Sequence, residues 1–171
     1  MSNKLLLIVD PQIDFICGSL PVPGAEKKMD ALAEYVRDKG RNYAMIVVTC
    51  DAHPPLHCSF KENGGEWPLH CVVASKGAAI WVPLMESLLE IPTDLTILHK
   101  GTDLTKEEYS IFQSEEGAKS MKGIIENLEI DSVDICGLAG DVCVANTLAD
   151  LRSSYPSIPV RVMKDFTAYL S

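Results

Sequence analysis

Five short apolar runs rich in β-branched residues constrain the fold of this chain most. They lie at 5–9, 44–49, 95–99, 133–137 and 159–163. Runs that do not alternate with polar residues are typical of strands buried on both faces of a sheet. Between them, apolar residues recur at helical spacing over about 25–39, 83–90, 117–128 and 142–153. This alternation predicts an α/β fold, doubly wound, with a mainly parallel sheet and helices on both faces.

The length and composition exclude several classes of protein. The 171 residues predict a single domain over 1–171, and 47% hydrophobic with 23% charged residues is ordinary globular usage. The net charge of −9 disfavours a nucleic acid partner because it repels phosphate. The opening "MSNKLLLIVD" is too short for a signal peptide and no apolar run spans a membrane, so we expect a cytoplasmic protein without membrane association.

Reactive side chains follow four of the predicted strands, at the edge where open α/β sheets bind ligands. Asp10 ends the first strand, Asp51 follows the second, Lys100 ends the third and Cys143 comes just after the fourth. Taken singly, each has a structural explanation as a turn former, a surface cation or a small buried apolar group. Together, Asp10, Lys100 and Cys143 combine a base, a cation and a nucleophile.

Cys143 differs from the other cysteines in its position at the start of a predicted helix. The helix terminus favours the thiolate there, so we expect a lowered thiol pKa. The preceding "GLAG" lets the amides of Ala139 and Cys143 approach a substrate carbonyl as oxyanion donors, or it is simply a tight turn. The six cysteines form no paired motif and are expected to be reduced, with Cys136 in the core.

The stretch from 54 to 73 shows no secondary-structure period, and a loop of that length usually has a function. Three of the four histidines lie in or beside it, and Asp51 precedes them. A carboxylate with imidazoles suits zinc, iron or manganese. Cys58 and Cys71 leave a second possibility open, a closed thiolate zinc site. Trp67 in this loop and Phe15 after the first strand either flank a flat ring or belong to the core.

Several segments together resemble the isochorismatase-like cysteine hydrolases, and among them the nicotinamidases. The matching pieces are "DPQIDFICGSLPVPGA" at 10–25, "DAH" at 51–53, "CSF" at 58–60, "GGEWPLHCV" at 64–72, "HKG" at 99–101, "YSIF" at 109–112 and "GLAGDVCV" at 137–144. The resemblance implies that family's fold and a catalytic triad of Asp10, Lys100 and Cys143. It also implies an oxyanion hole at Ala139 and Cys143, after a cis peptide between residues 138 and 139.

The resemblance further implies one divalent metal ion, zinc or else iron or manganese. Its ligands would be Asp51, His53 and His70, with His57 as a further ligand in some members. A pyridine ring would lie between Phe15 and Trp67. The expected reaction is hydrolysis of nicotinamide to nicotinate and ammonia through a thioester, as in salvage of NAD.

Two alternatives stay open. One is a related hydrolase that acts on another small amide or a carbamoyl compound, and the other is a metal-binding or thiol module without enzymatic activity. Two departures from the family pattern also stand out: Ala52 replaces a frequent aromatic residue, and the sequence ends at "DFTAYLS", where we expect a closing helix to be lacking. Assembly into a homo-oligomer is left open.

Overall fold

Five parallel strands form the centre of the computed structural model, which describes residues 2–171. The strands are β1 (Lys4–Val9), β2 (Met45–Asp51), β3 (Leu95–Lys100), β4 (Ser132–Gly137) and β5 (Val160–Thr167). Their order in the sheet is β3-β2-β1-β4-β5, and each neighbouring pair is parallel. The predicted α/β class and all five predicted strands are confirmed.

Helices cover both faces of this sheet. They are α1 (Ile13–Ile16), α2 (Ala25–Lys39), α3 (Val82–Glu90), α4 (Glu115–Asn127) and α5 (Cys143–Ser154). Side chains of β1 alternate between the faces: Leu6 and Ile8 pack in the core beside α1, α2 and α3, whereas Leu5 and Leu7 pack in the core beside α4 and α5. Both faces of β1 are buried, which explains its unbroken apolar sequence.

The four predicted helices agree with the structure to within two residues at each end, and only the single-turn α1 was missed. Residues 54–73 contain no strand or α-helix and only a short 3₁₀ helix at Lys61–Asn63. Residues 168–171 carry no helix. Within the described part of the chain, no helix is long and apolar enough to cross a membrane.

The strand order reverses beside β1, because the chain proceeds outward through β2 and β3 and then returns to β4 on the other side of β1. Ligands of doubly wound proteins bind in the crevice at such a reversal. Val9 and Gly137 pair in register there, and the Leu138 amide donates to the Val9 carbonyl at 2.8 Å. The topology therefore brings Asp10 and residues 138–143 to one crevice.

Gly137 is required at this crossing. Its φ is +125°, and a Cβ atom at this position would lie 2.1 Å from the Val9 carbonyl oxygen. We predict that Gly137→Ala lowers the free energy of unfolding by about 2 kcal/mol or more, from backbone strain and the clash. Chemical denaturation measures this change.

Gly123→Ala is the matched control for that substitution. Gly123 lies inside α4, where the nearest atom to an added Cβ is 3.9 Å away. Alanine there should stabilise the protein by about 0.5–1 kcal/mol through helix propensity. Equal stability changes for the two variants would contradict the proposed constraint at Gly137.

Candidate active site

The Lys100 ammonium group is the centre of the candidate site. Lys100 is fully buried at the end of β3, directly across from Asp51 in β2. Its Nζ lies 2.8 Å from Asp10 Oδ2, 2.6 Å from Asp51 Oδ1 and 3.6 Å from Cys143 Sγ. Burial alone lowers the pKa of Lys100, but the two carboxylates together hold it well above its usual value. A buried charge needs such partners, so these residues form one unit.

Each carboxylate oxygen of Asp10 accepts a hydrogen bond. Thr49 Oγ1 donates to Asp10 Oδ1 at 2.8 Å, while Oδ2 accepts from Lys100. The Asp10 amide also donates to the Thr49 carbonyl at 2.9 Å. Burial raises the pKa of Asp10 to about 6, and Lys100 limits the rise. Asp10 can therefore both accept and return a proton near neutral pH.

Cys143 is the first residue of α5 and is only 6% exposed. Burial raises the pKa of its thiol well above the usual value, Lys100 opposes that rise, and Asp10 and Asp51 add to it. The prediction of a lowered thiol pKa is therefore wrong, because desolvation outweighs the helix terminus. The resting group is a thiol that needs a base, and Asp10 lies beside it.

Asp51 faces both Lys100 and a pair of imidazoles. Its Oδ2 lies 3.5 Å from His53 Nε2 and 3.9 Å from His70 Nε2, and all three side chains are buried. Burial raises the pKa of Asp51, but Lys100 and His53 outweigh it and hold the value below the usual range. The three ligand atoms lie within 4.8 Å of one another, as a shared metal ion requires.

Backbone carbonyls fix the tautomers of these two histidines. His53 Nδ1 is 2.8 Å from the Gly101 carbonyl oxygen, and His70 Nδ1 is 2.7 Å from that of Pro68. A carbonyl only accepts, so each Nδ1 carries a proton, and Nε2, the nitrogen nearer Asp51, is the one through which each ring could bind a metal ion. One carboxylate and two such imidazoles fit zinc, iron or manganese and leave further coordination positions open.

His57 is placed differently. Its Nε2 donates to the Lys106 carbonyl at 3.0 Å, its Nδ1 accepts from the Ser59 amide at 3.1 Å, and its ring stacks on His53. Both nitrogens are thus engaged by the backbone, and His57 lies outside the three-residue group. Across residues 2–171, neither Cys58 nor Cys71 joins a metal-binding group either.

The turn before Cys143 supplies free amide donors. Among the backbone hydrogen bonds between residues 2 and 171, none is donated by the amide of Ala139 or of Cys143. The peptide between Leu138 and Ala139 is cis. The Asp141 carboxylate accepts from the Leu170 and Ser171 amides, so the last residues are tied to this turn.

A cavity opens from Cys143 between aromatic side chains. Phe15, Trp67 and His70 line it, and Trp67 Nε1 donates to the Tyr109 hydroxyl at 3.1 Å. Ser59 also lines the cavity, and its Oγ is the only buried side-chain polar atom without a partner in the described chain. An unpartnered buried hydroxyl in a cavity wall is suited to a polar ligand.

Sequence reasoning missed several residues that shape this site. They are Gln12, Thr49, Ser59, Glu107 and Tyr109. Gln12 holds the Asp51 backbone with both ends of its amide, at 2.8 and 2.9 Å. The segments "DPQIDF", "CSF" and "YSIF" contain three of these residues, but their roles depend on contacts between distant parts of the chain.

Comparison with protein families decides the family of this chain. The isochorismatase domain matches residues 4–155. The chain belongs to the isochorismatase family. It is 32% identical over 174 residues to the nicotinamidase/pyrazinamidase of Mycobacterium tuberculosis, and the alignment covers 98% of this chain and 88% of the relative.

Solved structures of the isochorismatase fold agree with this assignment. The pyrazinamidase of Pyrococcus horikoshii in complex with zinc is 35% identical, with a TM-score of 0.84 over 99% of this chain and 88% of that chain. The yeast nicotinamidase bound to the inhibitor nicotinaldehyde is 28% identical, with a TM-score of 0.86 over 98% of this chain and 89% of that chain.

The ligand geometry predicts which histidines bind metal. His70→Ala should weaken zinc binding at least about 100-fold, because it removes one of the three predicted ligands. His57→Gln is the control and should change zinc affinity less than about tenfold, since both ring nitrogens of His57 bond to the backbone and neither is placed as a metal ligand. Competition with a chromophoric chelator measures both. An equal loss in the two variants would place His57 among the ligands.

Proposed function

We propose that this chain is a nicotinamidase, a metal-dependent cysteine amidohydrolase that converts nicotinamide to nicotinate and ammonia. The observation that carries the proposal is the buried Lys100 ammonium, which draws Asp10, Asp51 and the Cys143 thiol together at the base of an aromatic cavity. Relatives named nicotinamidase support the substrate class.

The cavity suits a flat aromatic amide. Phe15 and Trp67 are its aromatic walls, between which a pyridine ring would lie. Asp51, His53 and His70 would hold a divalent cation, zinc foremost with iron or manganese as alternatives. When bound, that ion would supply a Lewis acid that orients the ring nitrogen. The chain's own side chains then present the amide carbon to Cys143.

Acylation would begin with transfer of the thiol proton from Cys143 to Asp10 as the sulfur bonds to the amide carbon. Lys100 would stabilise the negative charge that moves between these two groups. The Ala139 and Cys143 amides, which have no other acceptor, would donate to the developing oxyanion. The carbon–nitrogen bond would then break, and protonated Asp10 would give its proton to the departing ammonia.

Deacylation would use the same base. Asp10 would accept a proton from water as the water oxygen attacks the thioester carbon, and the carbon–sulfur bond would break to release nicotinic acid, which ionises to nicotinate in solution. Protonated Asp10 would return its proton to the Cys143 sulfur. The raised pKa of Asp10, about 6, suits a group that must gain and lose a proton in each half of the cycle.

If Cys143 is the nucleophile, removing its thiol should stop the reaction without changing zinc binding. Cys143→Ala should lower ammonia release from nicotinamide by at least about 1,000-fold, because the thiol that attacks the amide carbon is lost. Zinc content and melting temperature should stay near those of the parent chain, and an enzyme-coupled ammonia assay gives the rates. Cys17→Ser, at an exposed cysteine, is the matched control and should retain activity.

Two results would contradict this proposal. Normal turnover by Cys143→Ala would remove the mechanism. Cleavage of an aliphatic carbamoyl compound by the zinc-loaded parent, without cleavage of nicotinamide, would remove the assigned substrate.

The role of Asp10 as the base predicts how kcat/KM depends on pH at the acidic end of the profile. Because Asp10 must be ionised to accept the thiol proton, kcat/KM should rise as the pH increases through about 6. Initial rates at subsaturating nicotinamide, with zinc kept saturating, measure this limb. A profile that is flat between about pH 5 and pH 7 would exclude Asp10 as the titrating base.

A further inference from the structure

Glu107 is an acidic side chain in the wall of the candidate active-site cavity. It lies in the loop that follows β3, two residues before Tyr109, and it is half-buried. It lines the same cavity as Trp67, Tyr109 and Cys143. Neither the triad, nor the metal group, nor the oxyanion turn uses it, so its position needs a separate explanation.

The Glu107 carboxylate has no cationic partner. Among residues 2–171, no lysine, arginine or histidine nitrogen lies within 4.0 Å of it, and the neighbouring Lys106 faces Glu108 instead, at 3.8 Å. Lys100, the cation at the base of the site, is engaged by Asp10 and Asp51. No lysine or arginine is among the cavity-lining residues. Glu107 therefore brings to the cavity wall a negative charge that no cationic side chain pairs with.

The charge of Glu107 affects two groups that line the cavity, Tyr109 and His70, and also Cys58, which precedes the lining residue Ser59. Burial raises the pKa of Tyr109, and Glu107 adds to the rise. Burial likewise raises the pKa of Cys58, again with a contribution from Glu107. Burial lowers the pKa of His70, and Glu107 opposes that change. These groups stand on different segments, so a ligand between them would experience the same charge.

Hydrolysis of an amide changes the charge of the bound molecule. The substrate is a neutral aromatic amide, and the product is an aromatic carboxylate with ammonium as the other product at neutral pH. A fixed negative charge beside the cavity has little effect on the neutral amide. The same charge repels the carboxylate, most strongly where burial reduces screening by solvent.

We propose that Glu107 is a specificity-determining residue that weakens binding of the aromatic carboxylate product relative to the neutral aromatic amide. This inference rests on the proposed nicotinamidase function. It assigns Glu107 a role in limiting product inhibition and in excluding aromatic acids from the cavity. The side chain acts through its charge, so an isosteric amide is the informative replacement.

The test uses ligand binding rather than turnover. In zinc-loaded Cys143→Ala protein, calorimetry gives the dissociation constants of nicotinamide and nicotinate. Adding Glu107→Gln should tighten nicotinate binding about three- to tenfold and change nicotinamide binding less than about twofold. The difference should shrink as salt is raised, because screening weakens it. Glu62→Gln, at an exposed glutamate that does not line the cavity, should change neither constant.

The outcomes separate this inference from the function on which it rests. If neither ligand binds the zinc-loaded protein, the nicotinamidase proposal fails and the inference fails with it. If both bind, but Glu107→Gln leaves their affinity ratio unchanged or shifts both affinities equally, only the role of Glu107 is overturned. In the chain with Cys143 intact, Glu107→Gln should also lower the inhibition constant of nicotinate by the same factor.

Discussion

The rest of the site depends on the two ion pairs of the Lys100 ammonium group, with Asp10 and with Asp51. A fully buried cation at the end of β3 is stable only with anionic partners, and those partners come from the ends of β1 and β2. Asp51 belongs to this cluster through one oxygen and to the imidazole pair through the other. The proposed catalytic and metal-binding groups are therefore joined through a single carboxylate.

Two irregular loops complete the cavity because they are tied to each other. The Cys58 amide donates to the Leu104 carbonyl at 3.0 Å, His57 donates to the Lys106 carbonyl, and Trp67 donates to Tyr109. These bonds join the histidine-rich segment 54–73 to the loop after β3. They explain how a long stretch without regular secondary structure can hold an aromatic wall in place.

The sequence was sufficient for the scaffold and for the strand-end residues. Hydrophobic runs without polar alternation predicted the buried strands, and parallel pairing then placed Asp10, Lys100 and Cys143 at one edge. The hydrogen bonds from Thr49 to Asp10 and from Gln12 to the Asp51 backbone were not predictable, because each joins segments far apart in the chain. The thiol pKa was predicted wrongly for a related reason, since burial is not visible in the sequence.

The proposed mechanism requires that Cys143 be acylated each time nicotinamide is cleaved. Rapid acid quenching of the zinc-loaded parent during turnover, followed by mass spectrometry of its peptides, detects this intermediate. We predict a nicotinoyl thioester on the peptide containing Cys143 and on no other cysteine peptide. Release of ammonia at full rate with Cys143 unmodified at every quench time, or acylation of Cys58 or Cys71 instead, would contradict the account.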